Sequence, residues 1–141
     1  MIAYPLKPMK RMTGIRVMSS DSGNYNKGVL MTVKAHISPG ICKFNAVVKA
    51  ETKDSQNVTF EFVSECEIIA EFDRQVQEIS PVDAFMTLGP EENPILSIAG
   101  ELLQTKGCCD ACVVPAGTVK IMQVAANLAL SEDVSIEITR E

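Results

Sequence analysis

Apolar and polar positions alternate over residues 29–37. In "VLMTVKAHI", Val29, Met31, Val33, Ala35 and Ile37 share one face, while Thr32, Lys34 and His36 share the other. A period of two predicts a half-buried strand. "SPGIC" interrupts it. The alternation returns in "KFNAVVKAET", with Phe44, Ala46, Val48 and Ala50 inward, and again in "VTFEFV", with Val58, Phe60 and Phe62 inward. The polar "KDSQN" between these two runs predicts a hairpin connection.

The period then lengthens to that of a helix. Ser64-Glu65-Cys66-Glu67 has the S-x-x-E form of a capping box. Behind it Ile68, Ile69, Phe72, Val76 and Ile79 fall on one face. Ser80-Pro81 predicts its end and a short turn through Phe85 and Leu88. Asn93-Pro94 predicts the next start, an N-cap followed by proline at the first helical position. Ile95, Leu96, Ile98, Ala99, Leu102 and Leu103 line that helix, and Gly107 is placed to close it. Pro115 opens the most apolar stretch, "PAGTVKIMQVAANLAL", whose polar stripe is only Lys120, Gln123 and Asn127. This predicts a largely buried helix. Finally Val134, Ile136 and Ile138 alternate with Ser135, Glu137 and Thr139, as in a closing strand.

The order βββ-ααα-β predicts an α+β fold: a small, mainly antiparallel, four-stranded sheet with helices packed on one face. Residues 28–141 form one such domain, a size that can bury a real core. Residues 1–27 differ in kind. They hold Pro5, Pro8 and the turn-rich "SSDSGNYNKG", with five basic residues against the single acid Asp21. They are expected to form a flexible basic tail, and Met18 and Met31 stand as alternative starts. With 13 basic and 18 acidic residues in the chain, the body is left with 8 against 17, a net charge of −9. An acidic body without tryptophan is a poor nucleic-acid surface. No apolar run approaches the ~18–20 residues of a membrane span. The N-terminus lacks the apolar core of a secretion signal. The expected location is the cytoplasm.

Five cysteines, an odd number, in a reducing compartment argue against a disulfide framework. Three of them crowd into "GCCDAC", residues 107–112. The strand and helix directions bring the others to the same end. If the first strand runs up, the "SPGIC" loop with Cys42 is at the top. Cys66 follows the third strand, also at the top. The second helix returns there with Cys109 and Cys112. Cys66 and Cys112 each fall at a helix start, where free N–H groups and partial positive charge favour thiolate over thiol. Cys109-x-x-Cys112 has the bite of a chelate, whereas the adjacent Cys108 points away. The candidate ligands are therefore Cys42, Cys66, Cys109 and Cys112. Four thiolates suit an iron–sulfur cluster or Zn²⁺. Two other outcomes remain open: a metal-free redox or nucleophilic thiol site, and buried cysteines in an interaction or assembly module.

Other chemistry is thin. His36, the one histidine, lies on the solvent face of a strand. Glu65, Glu67, Glu71 and Asp73 fit a solvated helix face. There is no phosphate-cradling glycine loop and no Ser–His–Asp set. Partners compatible with the sequence are a protein or redox partner and a homo-oligomer.

The "SPGICKF" loop, the "SEC" after the third strand, and "CDACVVPAGTVKIMQVAANLAL" before a short final strand resemble a small family of uncharacterised cysteine-containing proteins of methanogenic archaea and anaerobic bacteria. The resemblance covers about residues 29–140. It implies cysteines in the first loop, at the start of the first helix and before the "VPAG" helix, here Cys42, Cys66 and Cys112. The position of Cys109 is often histidine in that pattern, and both residue types bind zinc. The resemblance implies a ligand site and an anaerobic cytoplasm, and no reaction.

Overall fold

The computed structural model describes residues 29–89, 92–105 and 112–141. The basic tail and Gly107 lie outside that range. Four strands, β1 (Met31–Ile37), β2 (Ala46–Thr52), β3 (Asn57–Ser64) and β4 (Val82–Asp83), form one sheet in the order β1-β2-β3-β4. Every neighbouring pair is antiparallel. Three helices follow or interleave: α1 (Glu67–Ile79), α2 (Pro94–Thr105) and α3 (Val114–Ala125). The fold is α+β with a four-stranded antiparallel sheet, as the alternating runs predict.

Strand parity decides which face is covered. Ala46, Val48, Ala50 and Thr52 of β2 are buried, as are Val58 and Phe60 of β3. Lys34, His36, Thr59 and Glu61 point to the solvent side. The helix layer lies on the apolar face only, with α3 across β1 and β2, and α1 along β3. The small Ala46 and Ala50 let α3 come close to the central strand. α2 packs against α1 and α3 rather than against the sheet. The core joins the two layers through Phe72, Val76, Ile95, Val114 and Met122, each essentially inaccessible. Phe72 meets Phe62 edge-on, with ring centres 5.4 Å apart, an arrangement that adds about 0.5–1.5 kcal/mol beyond area burial.

Helix ends follow local chemistry, with two differences from the sequence expectation. The Asn93 side chain caps α2 as predicted, accepting from the N–H groups of Ile95 at 3.0 Å and Leu96 at 3.2 Å. At α1, by contrast, Ser64 is the last residue of β3 and not the N-cap. Cys66 takes that place without a side-chain cap bond. The Ser64 hydroxyl instead accepts from the Cys66 N–H at 3.2 Å. The strand ladder claims Ser64 through its pairing with Ala46, which pushes the helix start two residues on. α3 is also shorter than its apolar run. It stops at Ala125, and Asn127 turns left-handed at φ 60°. The Leu128 and Asn127 N–H groups then bond back to the carbonyls of Gln123 (2.8 Å) and Val124 (3.1 Å). This double closure is a Schellman stop, and asparagine tolerates the left-handed residue better than most.

The fourth place in the sheet is held by Val82–Asp83, which pairs with Val58 and Asn57 just after α1. The segment Val134–Ile138, expected as the closing strand, is exposed, and joins no sheet among the described residues. Alternation prepares a segment for pairing but does not supply the neighbouring strand. No helix among the described residues is long and apolar enough to cross a membrane.

Candidate functional site at the cysteine end

Pairing fixes the ends of the sheet. Ile37 lies opposite Ala46, and Ala46 opposite Ser64, so the 38–45 loop and the start of α1 share one end. At the other end Met31 faces Thr52, and Thr52 faces Val58. α3 begins at the first end: a Cβ on Gly117 would stand 2.6 Å from Cδ1 of Ile37, the last residue of β1. It finishes at the second, where Asn127 Nδ2 donates to Ser55 Oγ in the β2–β3 hairpin at 3.2 Å. The elements that carry Cys42, Cys66 and Cys112 therefore open onto the same end of the domain.

The three thiols have different settings. Cys42 is exposed in a loop that folds on itself through a Lys43 N–H to Gly40 C=O bond of 3.0 Å. Gly40 sits at φ 103° and Lys43 at φ 59°. The first value suits glycine alone, which explains the residue type in "PGIC". Next to Cys42, Ile41 is 99% exposed, and Phe44 is exposed beyond it. Cys66 and Cys112 are half-buried and pack against the core. Cys66 is the N-cap of α1, and Cys112 precedes Val113, the N-cap of α3. Cys108 and Cys109 lie outside the described residues. Among the described residues no three His, Cys, Asp or Glu side chains come together closely enough to hold a metal ion. Cys42, Cys66 and Cys112 thus share an end of the domain without forming a ligand set by themselves.

His36 remains on the solvent face of β1, opposite Val47. The α1 acids are engaged locally: Arg74 donates to Glu71 at 2.6 Å, and also to Glu78. These pairs hold the Arg74 guanidinium above its ordinary range, chiefly through the hydrogen bond to Glu71. They are surface pairs that stabilise the helix slightly. A shallow depression on the solvent face of the sheet is lined by Lys34, Val47, Lys49, Glu61 and Val63. Lys49 lies 2.9 Å from Glu51 and 3.5 Å from Glu61 there. Neither feature was singled out in the sequence, because cross-strand neighbours are set by register.

A family model described as a family of unknown function (DUF6951) matches residues 33–138. The match carries neither a taxonomic range nor a cysteine pattern. No curated protein and no solved structure matches the chain. Since the family model spans most of the chain, from within β1 to near the last residue, the protein belongs to DUF6951, a family of unknown function.

Proposed function

We propose that the cysteine end of the domain binds a metal ion or an iron–sulfur cluster through Cys42, Cys66, Cys109 and Cys112. The observation that supports this most directly is the shared end of three separate elements, the 38–45 loop and the starts of α1 and α3. Core packing alone gives no reason to gather thiols at one end, because aliphatic side chains fill a core as well. Two of the proposed ligands are braced against the core, which favours a fixed chelate. The exposed loop brings the third, and closing the set requires that loop to fold inward and Cys109 to join it. Thiolates select zinc or iron–sulfur centres, and the site would serve electron transfer, structural support or metal donation.

A second reading is a metal-free thiol site, supported by Cys66 at a helix N-cap, where free N–H groups favour the thiolate. Anaerobic purification with metal analysis and a visible spectrum separates the two. A brown, iron-containing protein, or a colourless one with about one zinc per chain, supports the first. Metal-free protein with one fast-reacting thiol supports the second. Metal-free protein with unreactive thiols would overturn both and leave an interaction module.

A further inference from the structure

The last thirteen residues keep the alternation of a strand but join no sheet among the described residues. Residues 129–141 are exposed throughout, and Leu130, Val134, Ile136 and Ile138 are 60–89% accessible. β1 presents the complementary feature. It is an edge strand, and its outer side has no partner among the described residues. Its inward row is poorly covered: Met31 is exposed, and Val33, Ala35 and Ile37 are only half-buried, whereas the matching β2 row is fully buried. The other edge of the sheet is better protected. β4 covers the start of β3, and α1 overhangs the rest, with Gln77 Nε2 donating to the Phe60 carbonyl at 2.8 Å.

We infer that residues 132–139 of one copy of this chain add antiparallel to the β1 edge of a second copy, reciprocally, to form a dimer with two five-stranded sheets. With Ile136 set opposite Ala35, the register pairs Val134 with Ile37 and Ile138 with Val33, three apolar pairs on the helix side. On the solvent side the same register sets Glu137 opposite Lys34 and Thr139 opposite Thr32. Apolar, opposite-charge and Thr–Thr neighbours each favour a ladder. A shift by one residue would turn all of these to the wrong face. The charge balance agrees, since the tail holds Glu132, Asp133, Glu137 and Glu141 against Arg140, while the outer face of β1 holds Lys34 and His36.

In the antiparallel register, direction favours a second copy as the occupant. α3 ends beside Ser55, at the end of the sheet where β1 begins. A tail returning to its own β1 would therefore rise beside it in parallel. The antiparallel register would have to start at the far end of β1, a seven-residue strand about 20 Å long. The link from Leu128 to Val134 spans that distance only when fully stretched, at ~3.3–3.6 Å per residue. A tail from another copy has no such limit, and the two-fold arrangement satisfies both edges at once.

Sedimentation of the full chain and of a chain ending at Leu130 tests this. The full chain should be a dimer at about 100 µM, and the truncated chain a monomer with unchanged helical circular dichroism. Lys34→Glu and Glu137→Lys should each weaken the dimer by about tenfold, and the double reversal should restore it. A monomeric full chain, or a truncated chain that stays dimeric, would overturn the proposal. Failure of the double reversal to rescue would overturn the register.

Discussion

Gly117 of α3 rests against the end of the Ile37 side chain, so that an added β-carbon would meet Cδ1 at 2.6 Å and Cγ1 at 3.4 Å. This contact seats the first turns of α3 on the last residue of β1, next to the loop that carries Cys42. Two effects oppose each other in Gly117→Ala. Alanine in a helix gains about 1 kcal/mol over glycine. Rotating the Ile37 terminus out of the way costs about 0.5–1.5 kcal/mol. Alone, the substitution should be close to neutral. Against an Ile37→Val background, which removes Cδ1, it should stabilise by about 1 kcal/mol. Urea denaturation of the four proteins in this cycle measures the coupling. Additive values would show that the close approach has no energetic consequence.

The hairpin turn supplies a pH dependence. The Asp54 carboxylate accepts from the Asn57 side chain at 2.8 Å, from the Asn57 and Gln56 N–H groups at 2.8 and 3.0 Å, and from Thr52 Oγ1 at 3.1 Å. These bonds, that of the Asn57 side chain first, hold it well below the usual carboxylate range. A depressed value means that the folded state favours the charged form. Its contribution is complete above about pH 4, the unfolded value, and is lost as pH falls further. Asp54→Ala should therefore be less stable than the native chain at neutral pH, and the gap should narrow on acidification below about pH 4. Denaturation midpoints at several pH values check this; a gap that stays constant would remove Asp54 from the acid response.

The proposed ligand set makes unequal predictions for neighbouring cysteines. Cys66→Ser, Cys109→Ser and Cys112→Ser should each reduce metal retention after anaerobic purification at least tenfold, roughly the loss of one ligand from a four-ligand site. Cys108→Ser should retain it. Thermal denaturation of the metal-free variants separates loss of a ligand from loss of the fold. Equal loss in all four would point to a general effect of the segment.

Phe72 joins the helix layer to the sheet through Phe62. It is 1% exposed. Phe72→Ala should cost about 3–5 kcal/mol, and Phe72→Leu below about 1.5 kcal/mol. Denaturant titration reads both, and a small cost for alanine would mean that the core closes over the space.

Long periodic segments were readable from residue order. The inward rows of β2 and β3, the Asn93–Pro94 start of α2 and the buried face of α3 follow from periodicity and capping chemistry, which act over a few residues. β4 was not readable: Val82–Asp83 is too short to show a period, and its pairing exists because the start of β3 lies open beside it. Ser64 offered two local solutions, a cap or a strand end, and long-range pairing with Ala46 chose the strand.

The sequence by itself determined the class of fold, the faces that turn inward and the placing of Cys66 and Cys112 at helix starts, because these depend on short-range periodicity and backbone chemistry. Only the tertiary structure decided the partner of each strand. It left Val134–Ile138 unpaired among the described residues although its alternation is as regular as that of β1, because hydrogen-bond ladders need a neighbour at the right edge and in the right direction. The shared end of the 38–45 loop and the starts of α1 and α3 follows from strand and helix directions, and the tertiary structure added what seats them there, the cross-strand register and the contact of Gly117 with Ile37.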